Sequence, residues 1–261
     1  MLYGKTIVIT GVASGIGART AELALHLGAD VIGVDMRMPA PLLSQFIEAD
    51  LSTGAGIDAI AAHLPPRFDA LCNVAGVSGV PGAARTLAIN FYGLRALSRA
   101  AAPHLRQGGA VVNIASIAGY GWRANIERAK ALVGVEGFPD CAEIVRNHAI
   151  SDAEGYPVSK EALLLWTQRA AHQELFKGRG IRVNAVSPGP VATPILREFR
   201  TIFGDARVDD DIARVGRAGT ASDVAPAILF LCSDGARWIN GANLPVDGGL
   251  EASVNAEALG F

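Results

Sequence analysis

The sequence predicts an α/β domain in which helices cover both faces of a doubly wound parallel sheet of about seven strands. Three observations point there. Short, β-branched runs alternate with longer helical stretches along the whole chain. Several of those runs are apolar throughout, as in strands buried on both faces, and the repeated strand–helix–strand order requires parallel pairing with right-handed crossovers. The chain is 261 residues long and half apolar, enough for one large core, and no linker, repeat or low-complexity tract divides it. One domain spanning residues 1–261 is expected.

The strands are read at Thr6–Thr10, Val31–Asp35, Phe46–Asp50, Ala70–Val74, Ala110–Ile114, Ile181–Val186 and Asn243–Val246. Helices follow at Ile16–Leu27, Ile57–Leu64, Thr86–Leu105 and Glu161–Phe176, closing near Gly28, Pro65, Gly108 and Gly178 respectively. Two stretches break the alternation. Met36–Gln45 is too short and proline-rich for a full helix, and residues 120–154 hold more than a minimal unit needs.

Composition excludes several classes of function. Twenty-three Lys and Arg stand against 25 Asp and Glu, with no basic stripe, so nucleic acid is not a main partner. The apolar run Ala225–Cys232 is far too short for a membrane span, and the first residues run directly into a strand without the features of a signal peptide. Cys72, Cys141 and Cys232 lie far apart with no His at metal-ligand spacing. A reducing, cytoplasmic setting and no metal are expected.

The first strand runs into Thr10-Gly11-Val12-Ala13-Ser14-Gly15-Ile16-Gly17, which opens a helix. Glycines there permit a tight turn, close approach of a pyrophosphate to bare backbone, and close packing of helix on strand. The helix N-terminus attracts the phosphates. A plain structural turn is the alternative. Asp35 ends the second strand, 18 residues after Gly17. Its carboxylate suits the two hydroxyls of an adenosine ribose and repels a 2′-phosphate, favouring NAD over NADP, although Arg37 stands nearby. Together these features predict a Rossmann-type, dinucleotide-binding sheet.

Tyr156-Pro157-Val158-Ser159-Lys160 enters an apolar helix. Residues four apart share a helical face, so the phenol and the ammonium look into one cleft, and the ammonium is expected to draw the phenol pKa down from about 10. Such a tyrosine is a usable general acid and base. Ser116 follows the buried strand Ala110–Ile114, at the carboxyl edge where open α/β sheets bind ligands, and suits a donor that steadies a substrate oxygen. His104 and His148 are read as surface or capping residues.

These pieces, with Asp50-Leu51, Asn73-Val74-Ala75-Gly76, Asn90, Pro188-Gly189, Thr193 and Val246-Asp247-Gly248-Gly249, stand in an order that resembles the short-chain dehydrogenase/reductase family over nearly the whole chain. The resemblance implies that Tyr156 is the acid/base, Ser116 holds the substrate oxygen, Lys160 binds the nicotinamide ribose and lowers the Tyr156 pKa, and Asn90 holds a proton-relay water. It implies cofactor contacts at Gly11, Ser14, Gly15, Ile16 and Gly17, at Asp35 and Met36, and at Asp50 and Leu51 beside the adenine. It adds Asn73, Ala75 and Gly76 at the central ribose, and Pro188, Gly189, Val191 and Thr193 at the nicotinamide carboxamide.

The chain departs from the usual family pattern in one respect. Ser116 and Tyr156 are 40 positions apart, so something is inserted between them. Trp122–Ile150 reads as two short amphipathic helices, Ile126–Val133 and Cys141–Ile150. It either roofs the substrate site, with Trp122, Ile126, Leu132, Val133 and Phe138 supplying area, or covers a surface that many relatives use to pair subunits. Such an insertion resembles that of bacterial family members acting on coniferyl alcohol or, as 3α-hydroxysteroid dehydrogenases/carbonyl reductases, on steroids. Residues 194–216 are read as a substrate loop.

The expected function is NAD-dependent oxidation or reduction of a bulky apolar primary or secondary alcohol, aryl, allylic or steroid-like. The competing reading, a non-catalytic NAD(H) sensor, needs only the glycine loop and Asp35. A small-molecule substrate and a homodimer or homotetramer are the expected partners.

Overall fold

β-branched and aliphatic residues dominate most of the segments that pair. The computed structural model describes residues 2–39 and 43–261. Seven strands form one sheet: β1 (Thr6–Thr10), β2 (Asp30–Asp35), β3 (Gln45–Glu48), β4 (Phe68–Asn73), β5 (Leu105–Ile114), β6 (Arg182–Pro188) and β7 (Asn243–Val246), in spatial order β3-β2-β1-β4-β5-β6-β7. Every neighbouring pair is parallel. The chain reverses its direction of growth between β1 and β4, and a crevice opens at the carboxyl ends of the strands on either side of that reversal.

Helices pack on both faces. In chain order they are α1 (Gly15–His26), α2 (Gly54–His63), α3 (Ala83–Leu87), α4 (Leu94–Ala101), α5 (Ile126–Gly134), α6 (Cys141–Asn147), α7 (Asp152–Ala170), α8 (Glu174–Lys177), α9 (Ile195–Phe203), α10 (Asp205–Val215), α11 (Ala221–Cys232) and α12 (Leu250–Ala258). Because strand side chains alternate, Ile7, Ile9, Ala70, Cys72 and Val112 face one core with α1 and α11. Val8, Leu71 and Val111 face the other, with α2, α4, α7 and the insertion. A chain of buried amides crosses the second core. Asn73 and Asn113 are register partners on β4 and β5. Asn73 Nδ2 donates to Asn113 Oδ1 (2.8 Å) and Ser98 Oγ (2.8 Å), and Asn113 Nδ2 donates to Thr167 Oγ1 of α7 (3.0 Å).

The helix expected over Thr86–Leu105 is divided. α3 and α4 are joined by a wider π-helical turn at Ala88–Gly93, and Leu105 already belongs to β5. Gly93, the last residue of that turn, lies so close to Leu51 that a Cβ there would sit 2.3 Å from the Leu51 carbonyl. The helix read from Glu161 begins earlier, at Asp152, where Ser151 and Glu154 form a capping box. The expectation of no full helix in Met36–Gln45 falls partly on residues 40–42, outside the described residues.

The insertion forms the two expected helices, α5 and α6. They do not roof the crevice. Leu132, Val133, Cys141, Ile144 and Ile150 are buried in the core, α5 lying on α7 and α6 on α3, and Trp122 packs at its margin under the Arg123 guanidinium. The amphipathic period that suggested a substrate wall is satisfied by the protein's own helices. Among the described residues, no helix is long and apolar enough to cross a membrane.

Candidate active site

The crevice is a cleft of about 450 Å³. Its first half is backbone. Gly11 and Gly15 adopt φ of +77° and +57°, and a Cβ on Gly11 would come within 2.8 Å of the Ala75 backbone. A Cβ on Gly17 would lie 2.1 Å from the Gly11 carbonyl, so helix and strand touch there without a side chain between them. Ser14 stands extended at the N-cap of α1 with its hydroxyl uncommitted to a cap, and no acid occupies the first turn. The twelve-residue helix therefore presents free N–H groups and positive dipole to the cleft, an anion seat that fits a pyrophosphate. Thr193 closes over it, with its methyl group 3.3 Å from the position of a Gly15 Cβ.

Asp35 lines the cleft at the end of β2, its carboxylate accepting from the N–H groups of Ala13 (3.0 Å) and Arg37 (3.1 Å). Asp50 lies further along. Burial works against its charge, but hydrogen bonds from Ser52 and the Arg85 guanidinium outweigh that and hold the carboxyl below its usual range. Asp35, Asp50 and Leu51 thus all line the cleft. Met36, Ala75, Gly76, Pro188, Gly189 and Val191 also line the cleft. The residues present fit a nicotinamide dinucleotide along its whole length.

At the other end stand Ser116, Tyr156 and Lys160, all nearly buried and all lining the cleft. Ser116 caps the short 3₁₀ turn Ile117–Arg123, its Oγ accepting from Ala118 N–H (3.1 Å) and keeping its own proton to donate. Lys160 Nζ donates to the Ile114 carbonyl (2.7 Å) and lies 5.5 Å from the centre of the Tyr156 ring. Burial brings the ammonium pKa down to about 7. Burial also pushes the Tyr156 phenol up to about 12, against the pull of the Ser116 hydroxyl. The expected lowering of the phenol by Lys160 is therefore reversed in the protein alone, because desolvation of both groups outweighs an ammonium that is itself weakened.

Two residues read as site residues stand outside the cleft lining. Asn73 is buried, its side-chain amide donating to Ser98 and Asn113. Asn90, within the π-helical turn, accepts from Val77 N–H (2.9 Å) and donates to the Val77 carbonyl (2.8 Å) and Ser159 Oγ (3.3 Å). Its side chain is spent on holding the loop that carries Gly76. Conversely, Val77, Ile89, Ile195 and Phe199 line the cleft without having been singled out. Their signal was the i, i+4 apolar spacing of Ile195 and Phe199 inside the expected substrate loop.

Residues 5–138 match the family described as short chain dehydrogenase, and residues 141–251 match the one described as enoyl-(acyl carrier protein) reductase. A coniferyl-alcohol dehydrogenase from Pseudomonas sp. strain HR199 is 42% identical over 97% of this chain and 98% of its own. The chain belongs to the short-chain dehydrogenase/reductase family. As a member it is an NAD(P)-dependent oxidoreductase. Among solved members, the NADH complex of a 3-alpha-hydroxysteroid dehydrogenase from Pseudomonas sp. B-0831 superposes with a TM-score of 0.83 at 32% identity, covering 97% of this chain and 99% of that one. A short-chain dehydrogenase from Burkholderia cenocepacia J2315 in complex with NADP gives 0.72 at 26% identity, covering 96% and 99%.

Proposed function

We propose that the whole chain acts as one dinucleotide-binding and catalytic unit that transfers a hydride between NAD and a bulky apolar primary or secondary alcohol, aryl, allylic or steroid-like. The observation that carries this reading is the convergence of Ser116, Tyr156 and Lys160 at the apolar end of a cleft whose other end holds the glycine loop and Asp35. A sensor of NAD(H) would need only the second of these ends.

In oxidation, Ser116 Oγ–H donates to the alcohol oxygen and fixes it beside the phenol, and Tyr156 Oη takes the hydroxyl proton. When bound, the nicotinamide supplies the acceptor for the hydride. Lys160, its ammonium brought down by burial, favours the phenolate when charged and offers its remaining N–H donors to the ribose. In reduction Tyr156 returns the proton to the carbonyl oxygen. Pro194, Ile195 and Phe199 exclude water from this end. The Asp35 carboxylate supports NAD over NADP, since a 2′-phosphate would meet a fixed negative charge.

The coniferyl-alcohol relative supports an aryl or allylic substrate. A second reading, 3α-hydroxysteroid dehydrogenase/carbonyl reductase, is favoured by the likeness to the solved steroid enzyme. Absorbance at 340 nm with NAD⁺ and a panel of coniferyl alcohol, other aryl alcohols and 3α-hydroxysteroids separates them, and no NADH from any of these would defeat both. A homo-oligomer and a cytoplasmic setting complete the proposal, the latter supported by three buried free thiols.

A further inference from the structure

The insertion grips the helix that carries Tyr156 and Lys160. From α5, Arg128 reaches α7 at two points: Nη1 to Glu154 Oε1 (3.1 Å) and Nη2 to Glu161 Oε2 (3.5 Å). Glu154 completes the capping box of α7, its other oxygen accepting from the Ser151 N–H and hydroxyl. Glu161 is nearly buried, and its remaining oxygen accepts from Asn125 Nδ2 (2.6 Å), also in the insertion. One guanidinium thus spans two turns of α7, and Tyr156 and Lys160 both lie inside that span. Arg128 is not among the residues lining the cleft.

We propose that Arg128 is a positioning residue, which by holding Glu154 and Glu161 together fixes the stretch of α7 that presents Tyr156 and Lys160. The inference rests on the reading of those two residues as the proton-transfer pair. The physical argument is the cost of a lone buried charge. The Glu161 carboxylate has Arg128 as its cation, and without it the buried carboxylate must turn toward water, drawing on the helix turn that Lys160 begins. The rest of the insertion does not depend on Arg128. Its far end is held separately, by Arg95 and Arg169 donating to the Val133 carbonyl and by Arg95 donating to that of Gly137. Loss of Arg128 therefore removes the staple and leaves the insertion docked. On this reading the added segment serves catalysis from behind the helix rather than from the mouth of the site.

The test is steady-state alcohol oxidation with Arg128→Met, with the double variant Arg128→Met/Glu161→Gln, and with Tyr156→Phe beside them. A misplacement transmitted through the helix lowers kcat of Arg128→Met by about tenfold, with both KM values within about twofold of wild type. Neutralising the stranded carboxylate in the double variant restores kcat to within about threefold, because the glutamine amide still accepts the Asn125 hydrogen bond and carries no charge. Melting curves recorded beside the kinetics show that each variant is folded at the assay temperature. A kcat for Arg128→Met within twofold of wild type, or a loss that the double variant does not reverse, overturns the proposal. If Tyr156→Phe keeps its turnover, the reading of the site fails and this inference fails with it, whereas an inactive Tyr156→Phe beside an unaffected Arg128→Met sinks the positioning role alone.

Discussion

The ring of Phe199 lies 4.7 Å, centre to centre, from the ring of Tyr156. Phe203 stands 6.2 Å from the same tyrosine and 5.8 Å from Phe199, so two aromatic rings of α9 stand over the phenol. None of the residues of α9 is buried in the core, and Gly204 separates it from α10 at φ +84°. The helix is a cover, held by Glu198 accepting from Ser78 Oγ. It contributes to the desolvation that pushes the Tyr156 pKa up.

Phe199→Ala therefore admits water to the phenol and lowers its pKa. Since oxidation uses the phenolate, the acidic limb of kcat/KM for a small alcohol moves to lower pH, while kcat/KM for aryl alcohols falls with the lost aromatic contact by about 2- to 13-fold. A pH–rate profile whose acidic limb stays in place would remove Phe199 from this role.

Tyr156→Phe keeps the ring and its packing against Phe199 but deletes the proton carrier. Turnover is expected to fall by about 10²- to 10⁴-fold with NADH affinity, measured by fluorescence titration, preserved. Loss of binding together with turnover would point to a structural effect instead.

Asp35→Ala removes the charge that faces the ribose. The wild-type preference for NAD⁺ over NADP⁺, expressed as a ratio of kcat/KM, is expected to narrow by about tenfold, mainly through KM. Wild type that already prefers NADP⁺ would contradict the assignment.

Lys160→Met tests the cost of the buried ammonium. An unfolded lysine keeps its proton to about pH 10.4, whereas Lys160 in the fold releases it at about 7. Between those values the unfolded chain binds more protons, so wild-type stability gains with rising pH, and below about 7 the penalty is present in full. Urea midpoints measured between pH 7 and 9.5 should rise for wild type relative to Lys160→Met. Parallel curves would show that the ammonium is not desolvated.

At the edge of the sheet, Trp238 is 97% exposed, and the segment it begins leads into β7, where Leu244 and Pro245 are also exposed. That edge is the expected dimer surface. Light scattering should give about twice the 27.1 kDa chain mass, and Trp238→Asp should return it toward 27.1 kDa. A wild-type mass of one chain would exclude the assembly.

The parallel sheet and the glycine loop were legible because they depend on residues with few conformational alternatives. Gly11 and Gly17 tolerate no Cβ where they sit, and short apolar strands separated by helices are brought back in the same direction and so pair in parallel. What was not legible depended on competition between distant groups. That the Asn73 amide meets Asn113 depends on the register of β4 on β5, which no spacing within one strand reports. The apolar period of α5 fitted a substrate wall as well as a core, until α4 and α7 took it up. The direction of the Tyr156 shift follows from burial, which no spacing reports.

The amide chain from Asn73 through Asn113 to Thr167 bears on how the molecule comes into being. Asn113 Nδ2 has its acceptor on α7, some fifty residues further along the chain, so this buried donor has no partner before that helix has docked. Ser116 and Tyr156 flank the same joint. During synthesis, a chain released only as far as β5 would hold the glycine loop and an open, half-paired sheet edge, with neither Tyr156 nor Lys160 yet made. Chemistry would arrive last, with the closing of the core.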